Sequence, residues 1–169
     1  DIERHDVQFA ANIETITAVE NFNAMLVLPE IGELDGVVVG RVDMVGSLGM
    51  KRDDVNHPEI LALTRRVFES AKAKGLECAV GGGVAKEALP FMRELGDLVD
   101  RYETRKVIFA CPEALSGEPE AGILKAVGFE LMWLKNKRDF YGGIFEEDRH
   151  RIEMLVARYA QSIERVGGM

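Results

Sequence analysis

Glu14 and Asp43 are the residues of this chain best suited to hold a metal ion. Each closes a strand-like apolar run: residues 7–13 lead to Glu14, and residues 36–42 lead to Asp43 and the turn Gly46-Ser47-Leu48-Gly49. Continuous apolar runs of this length read as parallel strands buried on both faces. In parallel α/β folds the carboxyl ends of neighbouring strands converge on one face, where sites form. Two carboxylates there suit a hard, oxygen-seeking divalent cation such as Mg²⁺ or Mn²⁺. Helix N-caps and loops also carry such acids, so spacing alone leaves both readings open.

Three further groups have chemical potential. Gly81-Gly82-Gly83 follows a strand-like run. Backbone amides at such a turn can hold a carboxylate or phosphate, although a tight turn needing positive φ calls for glycine as well. Gly82 is the substrate-binding candidate there. The triplet fits neither a P-loop nor a dinucleotide fingerprint. Arg105 lies in Glu103-Thr104-Arg105-Lys106, a polar interruption of an apolar run. Its guanidinium could clamp a substrate carboxylate bidentately, with Glu103 orienting it. A buried ion pair or a bend at a sheet rim accounts for the same residues. Arg41, two positions before Asp43 on an extended strand, is a second catalytic candidate on the same side. His57 reads as structural or solvent-facing, and His5 and His150 read as surface residues. Cys78 and Cys111 form no disulfide framework and read as small buried hydrophobes.

The elements that must position these residues follow βαβα order. Strand-like runs cover residues 7–13, 36–42, 76–80 and 98–110. Between them, residues 18–28 read as a short helix or crossover, and 84–95 as a helix despite Pro90. Residues 56–74 give the clearest helix, with Asn56 as N-cap, Glu59 as its capping-box partner and Gly75 as its stop. After Cys111 the pattern changes to helices over 121–136 and 146–166, separated at Gly142-Gly143. The expected division is therefore residues 1–111 and a helical extension over 112–169.

Asn12-Ile13-Glu14-Thr15, the stretch from Asp35 through Gly40-Arg41-Val42-Asp43 to Gly49, and Asn56-His57-Pro58-Glu59 together resemble the HpcH/HpaI aldolase and citrate lyase β-subunit family. The match runs in order from about residue 7 to about residue 110. The resemblance implies a (β/α)₈ barrel, here its C-terminal half (strands 5–8) with two extra C-terminal helices. It implies Glu14 and Asp43 as the metal ligands, and backbone around Gly40 and Val42 as a seat for the substrate carboxylate. The implied activity is a divalent-metal-dependent C–C lyase or aldolase acting through a pyruvate- or oxaloacetate-type enolate. A CoA-ester lyase of the malyl or citramalyl kind and a non-catalytic half-barrel that binds a partner are the alternatives. Two departures stand out. Arg41 replaces a common Pro, and the family's catalytic histidine and carboxylate-binding arginine, on its early strands, have no counterpart here.

The chain has 169 residues, against about 250 for a whole barrel. Its net charge of −8 speaks against nucleic-acid or membrane-surface partners, which select basic patches. It is compatible with a small anionic keto acid, because one metal and one or two arginines dominate locally. No run approaches the roughly 20 apolar residues of a membrane span, and no leader pattern is evident. A cytoplasmic protein is expected. Four strands leave open sheet edges, so either a homo-oligomer or a complementary segment supplying the missing strands is expected as well.

Overall fold

Parallel pairing begins where a pleated run can bury one face under a helix. The computed structural model describes residues 7–167 and contains a five-stranded sheet in the order β1-β2-β3-β4-β5. The strands are β1 (Ala10–Ile13), β2 (Gly36–Gly40), β3 (Glu77–Gly81), β4 (Arg101–Glu103) and β5 (Ile108–Ala110). The first four run parallel, in registers Ala10↔Gly36, Gly36↔Glu77 and Ala79↔Arg101. β5 returns antiparallel on β4, with Tyr102 opposite Phe109.

Helices α1 (Ile16–Met25), α2 (Arg41–Ser47), α3 (Pro58–Lys72) and α4 (Leu89–Leu95) connect the parallel strands. Ile13, Val37, Val39, Cys78 and Val80 are buried in one core with Phe22, Ile60, Phe68 and Met92. The alternate residues Val38 and Ala79 are only half-buried. One face of the sheet is therefore covered and the other is open, so the apolar runs do not mean burial on both faces. The open face carries a cavity of about 250 Å³. Across that face Arg101 pairs with Glu77 at 2.7 Å and donates to Gln8 at 2.8 Å.

Several expected boundaries move, each for a local reason. The run 36–42 stops as a strand at Gly40, and Asp43 lies in the first turn of α2. An acid there complements the helix dipole. Arg41 and Asp43 are consequently not alternate residues of one extended strand. The run 98–110 is a hairpin: Thr104 N–H donates to the Val107 carbonyl at 2.9 Å, and Val107 N–H to Thr104 Oγ1 at 3.2 Å. Thr104, Arg105 and Lys106 lie in its turn, while Glu103 ends β4. The N-cap of α3 is His57, whose Nδ1 accepts from Glu59 N–H at 3.3 Å, while Asn56 is engaged elsewhere. Gly75, at φ +76°, follows that helix as expected. The run 84–95 holds a short 3-10 turn before α4 rather than one helix. His5 lies outside the described residues.

The largest departure is α5 (Pro119–Val166), one unbroken helix through Gly142-Gly143. Two compact units divide between Gly128 and Phe129, rather than at Cys111. A Cβ added at either glycine would meet nothing within 4 Å. Replacing both by Ala should therefore stabilise the helix by about 1.5–2 kcal/mol. Thermal melting followed by circular dichroism is the check; a drop in helicity would restore the break.

Candidate functional site

Three glycines make the room in which the acidic residues sit. Register carries the carboxyl ends of the parallel strands to one rim: Ile13 pairs with Val39, Gly40 with Gly81, and Val80 with Tyr102. Glu14, Gly40, Gly81 and Glu103 follow or end those strands at neighbouring levels. A Cβ on Gly40 would lie 3.0 Å from both the carboxylate carbon and Oε2 of Glu14. A Cβ on Gly81 would lie 3.1 Å from Glu103 Oε1. A Cβ on Gly82, at φ +74°, would approach the backbone nitrogens of Val42 and Arg41 to 2.9 and 3.0 Å. At Gly40 and Gly81 an added Cβ would displace the Glu14 or Glu103 side chain, whereas at Gly82 it would meet backbone that cannot give way. The left-handed backbone at Gly82 is a second reason for glycine there.

The Glu14 side chain is also oriented. Asn12 Nδ2 donates to Glu14 Oε1 at 2.5 Å, and Oε2 lies against Gly40. The next residue, Thr15, caps α1 by accepting from Ala18 N–H at 3.1 Å. Ile16 N–H donates to Ser47 Oγ at 2.9 Å, which ties the start of α1 to the end of α2. Asp43 is exposed in the first turn of α2. The structure thus sets Glu14 against Gly40 and Gly82 against Val42, with Asp43 in the first turn of α2. Among the described residues no group of three or more His, Cys, Asp or Glu side chains is poised around a metal position.

Arg41 has a different place from the one expected of a substrate clamp. It is fully buried. Its Nε donates to the Gly81 carbonyl at 3.3 Å, Nη2 to the Gly82 carbonyl at 2.8 Å, and Nη1 to Asn56 Oδ1 at 2.5 Å. The guanidinium lies 4.9 Å over the ring of Phe91. Burial lowers its pKa to about 10, which leaves it charged at neutral pH. Arg41 is a positioning residue: it fastens the β3 turn to α2. Arg105 is exposed in the β4–β5 turn, which leaves the sheet at the same rim.

Glu103 is the residue that sequence reasoning undervalued. Desolvation raises its carboxyl pKa above the ordinary range. Register counting along the four strands would have found it, because it ends β4 as Glu14 follows β1. The cysteines are chemically quiet: burial lifts Cys78 to about 12 and Cys111 to about 11, so thiolate chemistry is disfavoured.

Two outcomes follow. Arg41→Met removes the donor from three acceptors and should cost about 2–4 kcal/mol in urea unfolding; an unchanged midpoint would deny the strut. Glu103 has a raised folded-state pKa, so its ionisation costs stability. That cost is absent below the ordinary carboxyl range and grows as pH rises through the folded value. Glu103→Gln should therefore raise the melting temperature at pH 7 and leave it unchanged near pH 3. An equal shift at both pH values would remove the electrostatic cause.

Comparison with known proteins agrees with the motifs along the first half of the chain. The HpcH/HpaI aldolase/citrate lyase family matches residues 2–85. A 2-keto-3-deoxy-L-rhamnonate aldolase from Klebsiella pneumoniae is 36% identical over 81 residues, covering 46% of this chain and 28% of that protein. Ribonuclease P protein component 3 from Natronomonas pharaonis is 28% identical over 143 residues, covering 81% of this chain and 60% of that protein. The chain thus spans less than two thirds of either relative. The solved HpcH/HpaI aldolase from Desulfitobacterium hafniense DCB-2 aligns with a TM-score of 0.47 at 21% identity, over 57% of this chain and 36% of that one. The segment that carries Glu14, Asp43 and the glycine turn is thus similar to the HpcH/HpaI aldolase/citrate lyase family.

Proposed function

We propose that the chain carries the metal-binding half of a C–C lyase or aldolase acting on a small 2-keto acid of the pyruvate or oxaloacetate type. The observation that carries this reading is Glu14, held by Asn12 against Gly40 at the entrance of the helix bearing Asp43. Likeness to the 2-keto-3-deoxy-L-rhamnonate aldolase supports the substrate class. Two carboxylates fit Mg²⁺ or Mn²⁺, because Mg²⁺ commonly takes one or two protein carboxylates and keeps several waters. When bound, such an ion supplies Lewis-acid polarisation of the substrate's oxygens.

The protein's own residues supply the surroundings. Asn12 fixes the rotamer of Glu14. Arg41 holds the carbonyls of Gly81 and Gly82, and so keeps the β3 turn against the first amides of α2. Those amides, near Val42 and Gly40, face the position we assign to the substrate carboxylate. Arg105, exposed on the adjacent turn, offers a second cation for it. The sequential strand order, the helices packed on one face and the open opposite face support a half-barrel, strands 5–8 of a (β/α)₈ barrel. The proton-transfer group would come from the complementary half. Among the described residues no helix is long and apolar enough to cross a membrane, and we assign the enzyme to the cytoplasm.

The likeness to ribonuclease P protein component 3 favours a second reading, a protein subunit beside RNA. The net charge of −8 weighs against it, since RNA affinity rests largely on neutralising phosphates with Lys and Arg.

Calorimetry with Mg²⁺ and Mn²⁺ on the complete protein separates these readings. Binding should be seen and should fall at least about tenfold in Glu14→Gln and in Asp43→Asn, in line with removal of a direct ligand. Cleavage of a 4-hydroxy-2-keto acid to pyruvate should fall with it. Wild-type affinity in both variants, or tight RNA binding without keto-acid turnover, would overturn the assignment.

A further inference from the structure

The second unit, residues 129–169, carries more apolar surface than one helix can leave in water. Trp133, Ile144, Leu155 and Val166 recur at eleven-residue intervals, and Leu134, Phe145 and Val156 repeat the interval one position on. Eleven residues are close to three turns of α-helix, so the repeat draws an almost straight stripe along α5. These side chains are 38–68% exposed.

Charge within the stripe identifies what covers it. Lys137 lies among the apolar residues, its Nζ 5.1 Å from the Trp133 ring and 5.7 Å from the Tyr141 ring. Asp148 stands four residues after Ile144 and four before Ile152, on the same face. Lys137 and Asp148 are equally far from the Gly142–Gly143 peptide, on either side. We propose that α5 pairs with the α5 of a second copy, antiparallel, about a two-fold axis through that peptide. Each Lys137 then meets the partner's Asp148. The same register sets Tyr141 against the partner's Ile144 and Trp133 against the partner's Ile152. A parallel pairing would oppose Lys137 to Lys137 and Asp148 to Asp148, which disfavours it. Isolated polar pairs in an apolar seam commonly select one register and orientation in this way.

The inference is independent of the metal site and of any substrate. Sedimentation equilibrium of the full chain should show a dimer at micromolar concentration. Lys137→Glu and Asp148→Lys, each of which brings like charges together twice per dimer, should each raise the dimer Kd at least about tenfold. The doubly exchanged variant K137E/D148K should return it close to the wild-type value. Circular dichroism of the variants, expected unchanged, separates lost pairing from lost helix. A monomer at 100 µM, single variants that leave the Kd unchanged, or a double variant as weak as the singles would each overturn the proposal.

Discussion

A buried guanidinium with no ion-pair partner among the described residues organises the rim of this sheet. Arg41 is withdrawn from solvent completely, and its charge is met by two backbone carbonyls, the Asn56 amide oxygen and the face of Phe91. Burying a cation is costly unless its donors are satisfied. The arrangement holds only if the β3 turn, α2 and the residue before the α3 cap keep their places together. The depressed pKa records that cost, and the hydrogen bonds offset it. A lysine has no planar fork and could not reach these acceptors in the same geometry.

The glycines around that guanidinium are the other half of the constraint. Gly40 leaves room for the carboxylate of Glu14, Gly81 for that of Glu103, and Gly82 for the amides of α2. At Gly82 the absent side chain lets the turn sit closer to those amides than another residue type permits. The same rim holds two carboxyl groups with different surroundings. Glu14 accepts a hydrogen bond from Asn12, while Glu103 is shifted upward by desolvation.

Much of this was legible before any coordinates. The order of strands and helices through Gly81 and the glycine turn were readable because strand-like runs leave local patterns, whereas Asp43 was read as closing a strand and lies in the first turn of α2. Arg41 was not legible, because its partners Asn56, Gly81 and Gly82 are remote in sequence and a strand pattern gives no hint that Gly40 ends it. The hairpin at Thr104–Val107 was hidden because two short strands with polar turn residues read as one interrupted strand. Gly142-Gly143 misled in the opposite sense: glycine weakens a helix by about 1 kcal/mol per residue, and the long flanking repeats override that.

The hairpin also gives the sheet a handed edge. β5 runs against its neighbours, whereas β1 runs with them and bears no strand on its outer side among the described residues. A strand joining beside β1 can continue the parallel ladder, with its carboxyl end arriving at the rim where Glu14 stands. A strand joining beside β5 in parallel would point its carboxyl end away from that rim. The two borders therefore ask for opposite pairing: a strand that brings its carboxyl end to the carboxylates runs parallel beside β1 and antiparallel beside β5.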